Sequence, residues 1–286
     1  MGGGSERWSD VLRMATLAED AGFDSVWVAD HFIFRFPEAE EMGRWECWSL
    51  LSALAVATKR VEIGPLVSCM SFRNPALLAT IAETVDEISG GRLNLLVGAG
   101  WHQPEYDAYG YPFDHRVGRF EEGFTILRSL LKTGASTFDG RFERTHDCVL
   151  RPRGPRPGEI PLIIGSNGPR MLNLMAEQAD GWNTTWVVSP EELIPLNAAV
   201  DAACEAVGRD PQSLHRSACV FVDTPARTGR NLPTQPGAPL ARGAAKIAEL
   251  FQDYAAQGMD HIMLWIDPNT EKGIEEIGRA LELLDA

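Results

Sequence analysis

The feature that most constrains this chain is an alternation that runs its whole length. Short β-favouring apolar runs are each followed by a long segment of helical periodicity. "SERWSDVLRMATLAEDAG" places Trp8, Val11, Leu12, Ala15 and Ala18 on one helical face, and Gly22 ends it. "FDSVWVAD" reads as a strand, "WECWSLLSALAVATKR" as a buried helix and "VEIGPLVSC" as a strand. "RNPALLATIAETVDEISGG" reads as a helix with Asn74 as its cap, Pro75 in its first turn and Gly90-Gly91 at its end. "RLNLLVGAGW" is the next strand and "DHRVGRFEEGFTILRSLLKTG" the next helix. Beyond a hairpin-like stretch, the pairs "PLIIGSN"/"GPRMLNLMAEQAD", "GWNTTWV" with a helix opened by the capping box Ser189-Pro190-Glu191-Glu192, "HRSACVFVD"/"AAKIAELFQDYAAQG" and "MDHIMLWID"/"EKGIEEIGRALELLDA" continue the pattern.

Seven strands each followed by a helix, with one further helix in front, imply parallel pairing. No G-x-G-x-x-G follows the first strand, so a doubly wound dinucleotide fold fits less well than a (β/α)8 barrel. The expected fold class is therefore α/β, a TIM barrel lacking its first strand, as one domain over residues 1–286. "FDGRFERTHDCVLRPRGPRPGEIP" is expected to be a hairpin and a Pro/Arg-rich loop, an insertion near 134–160. A long loop is expected over residues 224–243.

A hydrophobic content of 44% supports a large core rather than disorder. The formal charge of −14 argues against a general nucleic-acid binder and against an anionic membrane surface. Five widely spaced cysteines without a C-x-x-C suggest neither a disulfide framework nor a zinc site. "MGGGSERWSD" has no apolar core of a signal peptide, and no apolar run approaches the roughly 18 residues of a membrane span. A cytoplasmic setting is expected.

In barrels of this kind, reactive groups sit where strands end. Asp30-His31 closes the first strand, where a histidine is easily tuned for proton exchange; a turn-capping aspartate and a rim histidine are the bland alternative. Arg73, just before a helix, is either an anion contact or a surface arginine. "VGAGWHQPEYDAYG" offers bare backbone at Gly98, Ala99 and Gly100, followed by Trp101, His102 and Glu105; Glu105 is either a site acid or a solvated loop acid. Gly165, Ser166, Asn167 and Gly168 lead into a helix N-terminus, either an anion site or ordinary capping, with Arg170 nearby. Asn183, Thr184 and Thr185 are polar residues within a strand, while Trp182 and Trp186 share a parity that suggests core packing. No nucleophile elbow, Walker A or H-E-x-x-H is present, and all four lysines fall in or near helices, which disfavours Schiff-base chemistry and a metal site.

Together, "AEDAGFDSVWVADHF", "RVEIGPLVSCMSFRNPALLA", "DEISGGRLNLLVGAGWHQPEYDAYGYPFDHRVGRFEE", "PLIIGSNGPRML" and "ADGWNT" resemble the bacterial luciferase-like superfamily, and most closely its deazaflavin (coenzyme F420)-dependent branch. The resemblance implies a TIM barrel with a flavin-like ring at the carboxyl ends of its strands. It maps an acid–histidine pair onto Asp30-His31, and a bulged strand, often with a non-proline cis peptide, onto Leu66-Val67. The "GAG" and "GSNG" backbones would flank the polar edge of the ring and its tail, helped by arginines such as Arg73, Arg116, Arg119 and Arg170. The family's opening strand has no counterpart here, and Val187 and Val188 stand where sugar-phosphate-oxidising relatives carry a phosphate-binding lysine.

The expected function is hydride transfer between coenzyme F420 and a small organic substrate, with His31 handling the proton. An FMN-dependent monooxygenase served by a separate reductase is the alternative, and a non-catalytic flavin-binding barrel a third reading. A cofactor-free hydrolase finds no nucleophile. A homodimer is expected from the family's habits.

Overall fold

The computed structural model describes residues 7–37, 40–223, 243–267 and 269–285. The loop expected over residues 224–243 lies, except for Gly243, outside the described residues. In chain order the first half carries α1 (Trp8–Asp20), β1 (Ser25–Val28), β2 (Ile33–Phe34), β3 (Met42–Gly43), α2 (Cys47–Ala57), β4 (Glu62–Pro65), β5 (Ser68–Cys69), α3 (Pro75–Ser89), β6 (Leu95–Gly98), α4 (Gln103–Tyr109) and α5 (Arg116–Thr133). The second half carries β7 (Ala135–Asp139), β8 (Arg144–Val149), β9 (Leu162–Gly165), α6 (Pro169–Gln178), β10 (Gly181–Val187), α7 (Leu193–Ala206), β11 (His215–Asp223), α8 (Ala244–Ala256), β12 (His261–Asp267) and α9 (Glu271–Leu284). Strand–helix alternation is thus the rule, as the periodicity indicates. The described residues fall into two compact units, drawn from residues 1–11 and 27–163 and from residues 12–26 and 164–286.

In the first unit β5 pairs β6 in parallel, Ser68 opposite Val97 and Cys69 opposite Gly98. The stretch expected as one strand, "VEIGPLVSC", is two short ones. Between them the Leu66–Val67 peptide is cis, where the family resemblance led us to expect one, and the Leu66 amide donates to the Val28 carbonyl at 2.8 Å. Helix α3 begins as its sequence dictates: the Asn74 carboxamide accepts from the Ala76 and Leu77 amides, and Gly90 closes it in the left-handed region at φ 70°. The insertion is the expected hairpin, with β7 and β8 antiparallel and Ala135 opposite Val149. Its tip is held by Glu122 of α5, whose carboxylate accepts from the amides of Arg141, Phe142 and Glu143 at 3.0, 2.7 and 2.9 Å. Burial acts to raise the Glu122 carboxyl, but these three donors outweigh it and hold it below the ordinary range. The Pro/Arg-rich loop that follows is anchored rather than loose. Arg153 pairs with buried Glu83 and Arg156 with fully buried Asp86, both on α3.

In the second unit β10, β11 and β12 run parallel, with Gly181 opposite His215 and Ser217 opposite His261. Trp182, Ala218, Val220, Ile247, Tyr254 and Ile277 are fully buried there. The capping box expected at Ser189 does not form. A 3-10 turn over Pro190–Glu192 precedes α7, and Glu192 instead accepts from the Val188 amide at 3.3 Å. On α1, which both units share, Val11, Met14, Ala15 and Ala18 are buried, whereas Trp8, expected on that face, is 41% exposed.

Candidate functional site

Strand β1 ends in the first unit at Asp30 and His31, and these two residues have different surroundings. His31 Nδ1 lies 2.8 Å from Glu105 Oε2. Glu105 is not a solvated loop acid: it lies in the first turn of α4, a helix the sequence reading took for loop, and it is fully buried. Its other oxygen accepts from the amides of Phe32 and Ile33, the latter at 3.1 Å. A carboxylate oxygen accepts from an imidazole N–H, so Nδ1 is the donor in this pair, and in the neutral tautomer Nε2 is the acceptor. Nε2 makes no hydrogen bond among the described residues, and the side chain keeps 17% of its exposure. Around it stand Phe34, Trp101 and His102, with ring centroids 4.3, 5.8 and 6.5 Å away. His102 is buried and its Nε2 accepts from the Arg35 amide at 3.0 Å. Burial lowers its pKa, so it is held neutral and fixes the chain beyond β2.

Asp30 neither caps a turn nor faces solvent. At 1% exposure it takes a two-pronged ion pair from Arg73, with Nη1 to Oδ2 at 2.6 Å and Nη2 to Oδ1 at 2.9 Å. It also accepts from the Cys69 amide at 2.9 Å and the Ser68 hydroxyl at 3.2 Å. Arg73 also reaches Glu46 Oε1 at 2.6 Å. Burial alone would lower the Arg73 pKa, but the two acids more than offset it and raise it. The two readings weighed for Arg73, an anion contact and a surface arginine, therefore both give way to a buried ionic anchor that ties the end of β1 to β5. Arg116 and Arg119 are likewise engaged, with the Gly100 carbonyl at 2.6 Å and with Asp114 at 3.0 Å.

Leu66 and Val67 are half-buried beside this anchor, just beyond β4. Gly98 closes β6, and Ala99 and Gly100 follow it. The Ala99 carbonyl accepts from the Tyr106 hydroxyl at 3.0 Å, and that hydroxyl lies 3.1 Å from Cys69 Sγ. Burial pushes the Cys69 thiol up to about 12, which removes it as a nucleophile at neutral pH. A Cβ on Gly100 would run into the Tyr106 hydroxyl, and Gly100 sits at φ 76°. Here the glycine is required by a neighbouring side chain of the protein.

The second unit holds the remaining expected residues. Gly165 ends β9, and Ser166, Asn167 and Gly168 lead into α6. Neither polar residue caps the helix by its side chain: Gly168 is the cap, and Asn167 turns to the Thr184 hydroxyl at 3.0 Å. The Ser166 carbonyl accepts from the Trp182 indole at 2.8 Å. Asn183, fully buried, donates to the Ser217 hydroxyl at 3.0 Å. The shared parity of Trp182 and Trp186 does not survive. Two residues separate Thr184 from Val187 against the one between Ala218 and Val220, and Trp186 takes φ 66° at this bulge. Trp182 stays buried, whereas Trp186 turns to meet Phe221 and Trp265, a grouping that residue spacing alone could not reveal.

The chain is 36% identical over 165 residues to a 5,10-methylenetetrahydromethanopterin reductase of Archaeoglobus fulgidus, covering 58% of this chain and 46% of that protein. It is 32% identical over 218 residues to an F420-dependent glucose-6-phosphate dehydrogenase of Amycolatopsis mediterranei, covering 73% and 63%. The chain therefore spans from about half to just under two thirds of the length of these curated relatives. Its fold matches that of an F420-dependent secondary alcohol dehydrogenase solved with an F420-acetone adduct, with a TM-score of 0.84 over 99% of this chain at 21% identity. The family model described as luciferase-like monooxygenase matches residues 1–228, and the chain belongs to that family.

Proposed function

We propose that this chain is an oxidoreductase that exchanges hydride between coenzyme F420 and a small organic substrate, with His31 as the proton-transferring group. The observation that carries this reading is the Glu105–His31 pair, 2.8 Å apart, with Glu105 fully buried and Nε2 left unbonded among the described residues. The surroundings fit a flat cofactor ring: half-buried Leu66 and Val67, and the aromatic wall of Phe34 and half-exposed Trp101. When bound, the deazaflavin supplies a carbon that accepts or donates hydride. On oxidation of an alcohol, the hydroxyl proton passes to His31 Nε2; on reduction of a carbonyl, it returns from there. Glu105 keeps the ring oriented through Nδ1. Asp30 positions the strand ends through Arg73. In the same reading the backbone of Gly98 to Gly100 contacts the cofactor's polar groups, the protein is cytoplasmic, and the enzyme is a homodimer.

The relatives named for F420 support this cofactor, and the family's description as monooxygenases supports the second reading, an FMN enzyme fed by a separate reductase. The test is a fluorescence titration of the purified protein with deazaflavin and with FMN, followed by turnover of His31→Ala. Deazaflavin binding that FMN does not displace, with turnover lost in the variant, is the expected result. Preferential FMN binding moves the assignment to the monooxygenase, and binding of neither cofactor removes the redox reading.

A further inference from the structure

We infer that Trp186, Phe221 and Trp265 form a subsite for an uncharged, ring-bearing part of a small-molecule ligand. The inference goes beyond the redox reading, concerns the second unit alone and does not depend on that reading for the binding. The three residues sit toward the carboxyl ends of β10, β11 and β12, the end at which parallel α/β sheets present ligands. Phe221 lies directly opposite Trp265 in the register. Trp186 joins their face only because the bulge inserts one residue between Thr184 and Val187. The Trp186 backbone is held at φ 66°, a conformation that a bulky residue rarely adopts and that points to a functional constraint.

The rings lie 5.2, 5.5 and 6.2 Å apart, centroid to centroid, and are tilted by 36°, 37° and 50°. They form a corner of aromatic faces rather than a closed stack. Neighbouring strand residues are sealed, with Val187 at 2%, Val220 at 0% and Val222 at 1% exposure, whereas Trp186 is 41% exposed and Phe221 and Trp265 are half-buried. Large apolar rings left open at a strand end can receive a further ring, edge-on or offset.

Charge narrows the class. The segments 181–187, 217–222 and 261–266 contain no lysine, arginine, aspartate or glutamate. A phosphate or carboxylate would find no cationic side chain along these segments to offset its desolvation. An uncharged alcohol or ketone carrying a ring needs no such partner.

The test uses benzyl alcohol as probe and phenyl phosphate as its charged counterpart, each titrated into the full chain with and without deazaflavin and followed by saturation-transfer NMR and calorimetry. Benzyl alcohol is expected to bind at least tenfold more tightly than phenyl phosphate. Trp186→Ala is expected to weaken it at least fivefold, and Trp186→Phe to restore most of the loss. Because Trp186 is half-exposed, its truncation leaves the fold intact, which circular dichroism checks, and Phe221→Ala provides a second truncation of the same corner. Equal benzyl alcohol affinity in wild type and both alanine variants overturns the inference, as does no binding to wild type. Ring-dependent benzyl alcohol binding in a protein that binds no deazaflavin leaves the subsite standing and removes only the redox reading.

Discussion

Replacing Glu105 with glutamine separates what this residue does for the fold from what it does for His31. The carboxylate accepts from His31 Nδ1 and from the Phe32 and Ile33 amides, at zero exposure. Glutamine keeps one carbonyl oxygen for the two amides. A hydrogen bond to a charged acceptor is worth about 1 kcal/mol more than one to a neutral acceptor, so two such bonds cost about 2 kcal/mol, less whatever is recovered by no longer burying a charge. Alanine leaves all three donors unpaired, at about 1–3 kcal/mol each, so that variant is expected to lose roughly 3–9 kcal/mol. For the chemistry the order of concern reverses. The glutamine amide group donates towards Nδ1, so the imidazole carries its proton on Nε2 and cannot accept one from substrate. General acid–base catalysis contributes roughly 100- to 10,000-fold. Glu105→Gln is therefore expected to fold, to shift its denaturation midpoint modestly, and to lose at least about 100-fold in kcat with little change in KM. The checks are urea denaturation, steady-state kinetics with deazaflavin, and 15N shifts of the His31 ring, which report the tautomer without turnover. A glutamine variant with wild-type turnover and an unchanged His31 nitrogen pattern would refute the reasoning.

Two further outcomes follow from neighbouring residues. His102 is held neutral in the fold by burial, so between its lowered folded pKa and the unfolded value near 6.5 the unfolded chain binds more protons; its contribution is complete above about pH 6.5 and is lost as pH falls. Melting curves from pH 5 to 8 are expected to show this decline, and His102→Gln to flatten it; an unchanged decline in the variant would rule His102 out as its source. Gly100→Ala places a Cβ against the Tyr106 hydroxyl at φ 76°, and calorimetry is expected to show a loss of about 2–4 kcal/mol. A loss below about 0.5 kcal/mol would mean that the hydroxyl moves aside freely.

Much of this protein is written locally and was legible without coordinates. The βα alternation, the Asn74 cap with Pro75 behind it, the hairpin after Gly134 and the strand-end position of His31 all depend on residues close in sequence, through hydrogen bonds and side-chain spacing that span a few positions. The functional constellation depends on contacts that cross 43 positions for Arg73 and Asp30 and 74 for His31 and Glu105, and no short-range rule encodes these. Only the folded chain turned Glu105 from a presumed loop acid into the buried partner of His31. Only the fold committed Arg73 to Asp30 and assigned Gly100 to the Tyr106 hydroxyl. The bulge that brings Trp186 to Phe221 and Trp265 is likewise a property of strand register, set by how β10 pairs with β11. The sequence by itself determined which elements form and in what order, because propensity and capping act over one or two turns. The tertiary structure decided which polar groups are partners, because burying a charge requires a counterpart that may lie anywhere along the chain.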